Sequence, residues 1–182
     1  IAEPQLSDVR GDMETIAERG SLIPTHVVEH GEERKIAGRR VRIGFSANAA
    51  TAGDVWLFDP ATNVLLAGDL VTLPAPFLDT ACPAGWRDAL AALDAIDFQV
   101  LVPGHGAPMD RAGFARYRTA FDHLLACAAG DEEADRCVDG WLRDTGTLVP
   151  ASQNDQARRL LDYYVAQVLR APPERRGGYC RL

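Results

Sequence analysis

The possible folds of this chain are limited chiefly by the order of its sequence patterns, because β-type segments come first and helical patterns come last. The segment 39–45 alternates apolar and basic residues, which predicts a half-buried strand, and 54–66 is typical of two strands joined by a turn. Apolar spacing of three and four residues then predicts a helix around Trp86, and the apolar run 98–102 predicts a buried strand. This order favours an α+β fold in which helices cover one sheet.

The C-terminal part of the sequence predicts a helical extension over residues 110–182. Apolar stripes in this segment indicate three helices, and Asp110 stands where a helix cap is expected. Ser152 and Asp155 have the spacing of a capping box for the last helix. We therefore expect helices to outnumber strands in the second half of the chain.

The N-terminal part carries weaker patterns. Helical spacing predicts a helix over 4–20, β-branched residues predict a short strand over 26–30, and the charged segment 31–38 reads as a turn region. His26 and His30 would then lie on one face of that strand and could share a metal ion. We interpret both histidines instead as solvated polar residues of the strand.

Composition excludes several classes of function. The 182 residues carry a formal net charge of −7, which disfavours nucleic acid as a partner. No run approaches the roughly 18 apolar residues of a membrane-spanning helix, so we expect no membrane partner. Lys35 is the only lysine beside many arginines, a usage that is associated with GC-rich bacterial genomes.

The four cysteines, Cys82, Cys127, Cys137 and Cys180, form no CxxC pair, which argues against a zinc knuckle. Two disulfides are open to them, in three pairings. Cys127 and Cys137 flank a polar turn between two helical patterns, so we favour a bridge there, with Cys82 and Cys180 as a second pair. These bridges would indicate a periplasmic or secreted protein. The alternative is four reduced thiols in the cytoplasm.

Two short motifs could carry chemistry. Ala-Gly-Asp at 67–69 and Pro-Gly-His-Gly at 103–106 each follow an apolar strand and place a polar side chain after a glycine. Asp69 and His105, presented at the end of one sheet, could bind the same zinc or iron ion. Taken alone, each motif is also typical of an ordinary surface turn.

From residue 39 to about 125 the chain resembles the C-terminal half of the metallo-β-lactamase-fold hydrolases. The resemblance rests on the segment Ala-Thr-Ala-Gly-Asp at 50–54, the following hairpin and the two glycine motifs, in the family's order. It implies half of an αββα sandwich, with 1–182 forming one unit of that domain. It also implies that Asp69 bridges two metals and that His105 is the last histidine ligand.

The same resemblance implies a function. We expect zinc as the cofactor, as one or two ions, with iron or manganese as alternatives. Metal-activated water would attack an ester, thioester, lactone or lactam of a small-molecule substrate. No catalytic residue beyond the metal ligands is implied.

Two departures from the family pattern limit this reading. The ligand cluster His-x-His-x-Asp-His does not occur in the sequence, and Ala50 stands where the family usually has a histidine. We therefore expect the apolar side of strands 41–66 to be covered by a missing N-terminal half or by a second copy. The isolated chain should be inactive and bind zinc weakly. The alternative is a catalytically impaired domain that acts in binding or assembly.

Some other residues are expected to be structural. Trp56, Trp86 and Trp141 are interpreted as core or helix-packing residues, and His123 as a surface residue. Asp79, in a proline-rich loop, could border the pocket, although a turn or capping role is the favoured interpretation.

Overall fold

The computed structural model describes residues 26–172 together with Ile16. The helix predicted over 4–20 lies outside the described residues, except for Ile16. The elements in chain order are β1 (Glu32–Ile36), β2 (Arg39–Ala47), β3 (Gly53–Asp59), β4 (Val64–Thr72), α1 (Pro83–Asp94), β5 (Val100–His105), α2 (Arg111–Ala129), α3 (Ala134–Thr145), α4 (Asn154–Tyr163) and a π-helical turn at Tyr164–Leu169, with 3₁₀ turns at Gly146–Leu148 and Ala151–Gln153.

Within the described residues, the strands form one mixed sheet in the order β1-β2-β3-β4-β5. The first four strands are antiparallel neighbours, and α1 connects β4 to its parallel neighbour β5. Helices and strands therefore combine as the predicted α+β class. Because β4 and β5 run in the same direction, their carboxyl ends meet at one edge of the sheet.

The helices pack on one face of this sheet and share a continuous core with it. Leu65 and Leu101, which belong to neighbouring strands, are fully buried on this face. Trp86 of α1 and Trp141 of α3 are buried in the same core, and Trp56 packs partly buried against it. These positions confirm the interpretation of the three tryptophans as core residues.

The opposite face of the sheet carries exposed apolar side chains. Leu57, Leu66 and Val102 are paired in one row across β3, β4 and β5. Leu66 is 43% exposed, and Val100 on the neighbouring strand is 40% exposed. We call this surface the open face. A groove of about 510 Å³ crosses it, lined in part by Leu57 and Leu66.

The charged segment 31–38 is a hairpin rather than the predicted turn region. Glu32–Ile36 forms the edge strand β1, which pairs only with β2 among the described strands and leaves most of its side chains exposed. Charged residues suit such an edge, because they remain solvated there. Ala37 and Gly38 make the turn with φ of 48° and 84°. The strand predicted over 26–30 is wrong, since that segment has no β pairing.

One of the two predicted caps is present. The Asp110 carboxylate accepts a hydrogen bond from the Gly113 N–H at 2.8 Å and caps α2. Ser152 and Asp155 form no capping box, because the 3₁₀ turn at Ala151–Gln153 leads directly into α4 and keeps the backbone helical there.

The predicted Cys127–Cys137 disulfide is present, with Cα atoms 5.5 Å apart. It joins the end of α2 to the start of α3. Arg170 reinforces the same corner by donating hydrogen bonds to backbone oxygens, among them Ala128 O at 3.1 Å. Cys82 is also disulfide-bonded, and its predicted partner Cys180 lies outside the described residues. None of the helices between residues 26 and 172 has the length and hydropathy that crossing a bilayer requires.

Candidate functional site

Asp69 and His105 lie side by side toward the carboxyl ends of β4 and β5. His105 Nε2 is 3.7 Å from Asp69 Oδ1, and each side chain is about half exposed, at 55% and 51%. This distance is too long for a hydrogen bond. It leaves a carboxylate oxygen and an imidazole nitrogen directed to the same region of the sheet edge, where both are accessible to a ligand.

Glycines allow this close approach. A Cβ atom on Gly104 would stand 2.2 Å from Asp69 Oδ1, so any larger residue there would displace the carboxylate. Gly68 has a φ of +55°, in the left-handed region that glycine adopts without strain, and the β4–β5 register shifts on either side of it. Gly68 and Gly104 therefore allow the two side chains to lie this close together.

The loop after β4 packs against His105. Its first residue, Leu73, donates its backbone N–H to the His105 carbonyl at 3.0 Å. The Phe77 ring meets the imidazole edge-on, with ring centroids 5.2 Å apart. Phe77 therefore restricts the orientations that the His105 ring can take.

The helical layer holds this loop in place. The buried indole N–H of Trp86 donates to the Leu70 carbonyl at 2.9 Å, and that of Trp141 donates to the Pro74 carbonyl at 2.8 Å. Both bonds join a helix to the end of β4 or to the loop that follows. The helices α1 and α3 therefore position the wall of the site, although they carry none of its predicted ligands.

The turn between β2 and β3 forms a second wall. Asp54 is only 7% exposed, and its carboxylate accepts hydrogen bonds from the Thr51 N–H at 2.9 Å and the Thr51 hydroxyl at 3.1 Å. Thr80 donates to the Ala50 carbonyl at 3.1 Å, which ties this turn to the loop after β4. The Ala50 side chain is buried and offers no donor atom to a metal.

A cavity of about 390 Å³ lies between these walls. Its lining residues are Ala50, Thr51, Asp69, Phe77, Asp79, Thr80 and Tyr164. Asp79 therefore borders the pocket, the role that sequence reasoning ranked below a turn or cap. The cavity includes Asp69, so a ligand in it would lie next to one member of the Asp69–His105 pair.

Tyr164 was missed by the sequence analysis as a site residue. Its hydroxyl donates to Asp79 Oδ2 at 2.7 Å, and the residue is only 3% exposed. Burial raises the pKa of Tyr164 well above its ordinary value, and the hydrogen bond to Asp79 and the negative charge of Asp79 act in the same direction. Eighty-five residues separate the pair, so no local motif could have indicated the contact.

The other histidines lie away from this site. His26 Nε2 is 2.8 Å from Glu32 Oε1 on the surface, and this hydrogen bond holds the pKa of Glu32 below its ordinary value. His30 is exposed. His123 is exposed as predicted, with Nδ1 2.8 Å from Asp144 Oδ2. None of these contacts brings a second histidine to Asp69.

The side chains of Asp69 and His105 are suitable zinc ligands, but two ligands are fewer than a zinc site normally has. An imidazole nitrogen and a carboxylate oxygen are both ordinary zinc ligands, yet zinc sites use about three to four protein ligands. Between residues 26 and 172 no group of three or more histidine, cysteine, aspartate or glutamate side chains is placed to hold a metal ion. Further donors would have to come from elsewhere.

Solved structures with a similar backbone are metallo-β-lactamases and an alkyl sulfatase. The metallo-β-lactamase from Pontibacter korlensis is 22% identical, over 60% of this chain and 54% of its own, with a TM-score of 0.50. A double mutant of the sec-alkyl sulfatase PisA1 is 16% identical, over 80% of this chain and 28% of its own, with a TM-score of 0.54. No protein-family model and no curated protein matches the chain.

These likenesses show the fold: over the matched part, the chain has the metallo-β-lactamase fold that its sequence resemblance implied. It spans about half the length of the β-lactamase that it matches. The sulfatase match covers 80% of the chain. It must therefore extend into the helical extension, because residues before Asp110 make up only about 60% of the sequence.

Proposed function

We propose that this chain contributes Asp69 and His105 to the metal centre of a hydrolase. The observation that carries the proposal is their separation of 3.7 Å at the carboxyl ends of two parallel strands. The bulge at Gly68 and the missing side chain at Gly104 make that separation sterically attainable. The role of the two residues is to hold zinc, or iron or manganese, beside the cavity.

The remaining metal ligands are proposed to come from polypeptide that covers the open face. This would be an N-terminal half of the same domain or a second copy of the chain. Exposed Leu66 and Val100 supply the apolar contact surface for such a cover. The isolated chain, with two donors, is then an inactive part of the enzyme.

The proposed reaction is hydrolysis of a small ester, thioester, lactone or lactam. A bound zinc ion would supply an acidified water as the nucleophile. The sulfatase among the structural neighbours adds sulfate esters to the classes worth testing. Phe77 limits rotation of the His105 ring, and Thr51 and Thr80 line the cavity beside it.

We further propose that the protein works in an oxidising compartment, the periplasm or the cell exterior. The Cys127–Cys137 disulfide supports this, because such bridges persist where thiols are not kept reduced. Mass spectrometry of the protein taken directly from its host, without reduction, would detect the bridge. Free thiols at both positions would instead favour the cytoplasm.

The hydrolase proposal is tested first on the coding sequence upstream of Ile1, where a His-x-His-x-Asp-His motif is expected. The protein from the whole reading frame is then assayed on a panel of esters, thioesters, lactones, lactams and sulfate esters, with zinc added or removed. Asp69→Asn and His105→Ala should each lower turnover by at least about 100-fold, since each removes a ligand. His123→Ala is the control and should leave turnover unchanged. Zinc-dependent hydrolysis that survives both ligand substitutions contradicts the proposal.

A second candidate function is binding or assembly by a catalytically impaired domain. Ala50 favours it, because this buried residue offers no donor where related enzymes usually have a histidine. An upstream sequence without the histidine cluster, together with no hydrolysis and retained association through the open face, would support this second candidate.

A further inference from the structure

One carboxylate in the lining of the cavity, that of Asp79, has no part in the proposed metal chemistry. Phe77, Asp79 and Thr80 come from the loop after β4, and Tyr164 comes from the helical extension. The volume of about 390 Å³ is at the lower end of the roughly 300–1,000 Å³ of small-molecule sites. The cavity therefore suits a compact substituent of a small molecule.

Asp79 is an exposed carboxylate with a fixed position. Its Oδ2 atom accepts a hydrogen bond from Tyr164, whose ring is buried in the core and cannot move freely. Among the described residues Asp79 has no ion pair and no other hydrogen-bond donor. Its Oδ1 atom is therefore left to accept a hydrogen bond from a ligand.

The charge of the cavity is one-sided. Among the residues that the structure describes, its lining includes two carboxylates, Asp69 and Asp79, and no basic side chain. If Asp69 is used to hold a metal, Asp79 is the remaining charge that faces a ligand. A carboxylate in that position favours a cationic group and repels an anionic one.

We propose that Asp79 determines specificity, and that the cavity binds the ammonium group, or another cationic nitrogen, of a small substrate. The bond to be hydrolysed would then lie toward Asp69 and His105. The position of the bond to be hydrolysed rests on the proposed function, whereas the binding of the cation does not. Tyr164 is a positioning residue: its hydroxyl holds Asp79, and the raised pKa of Tyr164 keeps that hydroxyl protonated as a donor.

The test is a binding titration on the metal-free 182-residue chain, labelled with ¹⁵N. The two probes are 2-phenylethylammonium and 3-phenylpropionate, which have similar size and opposite charge. The ammonium is expected to bind at least about 10-fold more tightly, as a charge-assisted hydrogen bond allows at a partly exposed site. The amide signals of Thr51 and Thr80 should shift, because both residues line the cavity.

Three variants locate the effect. Asp79→Asn keeps the shape of the side chain and should abolish the preference for the ammonium probe. Tyr164→Phe removes the hydroxyl that holds Asp79 and should weaken ammonium binding by about two- to fivefold. Asp162→Asn is the matched control, because it changes the net charge of the protein by the same amount as Asp79→Asn. Asp162 is an exposed residue of α4 outside the cavity lining, so this variant should keep the preference for the ammonium probe.

Equal binding of the two probes by the unaltered chain overturns the proposal, and so does a preference that survives Asp79→Asn. This comparison uses the unaltered chain first, so it does not depend on the folding of a variant. Because the titration contains no metal, its failure is distinct from failure of the hydrolase assay. Charge preference without hydrolysis would leave the cation site standing and refute only the proposed reaction.

Discussion

The two faces of the sheet differ sharply, and neighbouring leucines of β4 show how. Leu65 points to the helical layer and is 0% exposed, whereas Leu66 points to the open face and is 43% exposed. Leu101 and Val100 repeat the difference on β5. On β4 and β5 the described residues therefore bury the helical face more completely than the open face, and the same two strands carry Asp69 and His105 toward their carboxyl ends.

The two faces therefore have different roles: the helical face stabilises the fold, and the open face is proposed to bind the polypeptide that completes the site. The helical face contains the core, and its Trp86 and Trp141 fix the end of β4 and the loop after it. The open face contains surface that another polypeptide could cover, next to a pair of donors that needs more ligands. We expect substitutions on the two faces to act on different properties, stability on one and association on the other.

The largest expected effect is on stability at the helical face. Leu65→Ala should lower the free energy of unfolding by about 3–5 kcal/mol, since it leaves a cavity in a filled core. Leu66→Ala, the same substitution one residue later, should cost less than about 1 kcal/mol in the isolated chain. Urea unfolding of both variants measures the difference. Equal losses would show that the open face is as well packed as the helical face.

The disulfide gives the next largest effect, and it lies wholly within the helical layer. Replacing Cys127 and Cys137 together by serine opens a loop between residues separated by ten positions. The loss in free energy of unfolding should be about 2–3 kcal/mol, since the unfolded chain gains the freedom of that loop. Thermal unfolding of the double variant, beside the oxidised parent, measures it. An unchanged midpoint would mean that Arg170 alone holds this corner.

Association should depend on the open face. Leu66→Lys places a charge at the centre of its apolar row and should weaken self-association, or binding of a covering half, at least about tenfold. Light scattering over a range of concentrations measures this for the chain alone. Arg158→Ala, on the helical layer, serves as the control. A parent chain that stays monomeric, and binds no N-terminal half from its own reading frame, contradicts a covered open face.

Much of the architecture could be predicted because its causes are local. The Asp110 cap, the β3–β4 hairpin and the helix around Trp86 each follow from a few adjacent residues, and all are present. The strand Glu32–Ile36 could not be predicted in this way. It is an edge strand whose charged residues face water, so it lacks the apolar alternation of a buried strand.

The candidate site divides in the same way. Asp69 and His105 each follow a glycine at a strand end, so their placement near one edge could be predicted from short motifs. The contact of Asp79 with Tyr164 joins segments 85 residues apart. It depends on how the helical extension packs, and no pattern near either residue records that packing. A metal ion at Asp69 and His105 would need further ligands. None of them is placed there by the described residues, so the structure does not identify them.

A zinc titration of the ¹⁵N-labelled 182-residue chain, followed by the imidazole and amide signals, tests directly whether Asp69 and His105 bind a metal ion. We expect weak, slowly saturating shifts centred on His105 and Asp69, since two donors bind zinc poorly, and we expect His105→Ala to remove them. Tight stoichiometric binding, or shifts centred on His26 and His30, would contradict the assignment of Asp69 and His105 as the chain's contribution to a metal centre.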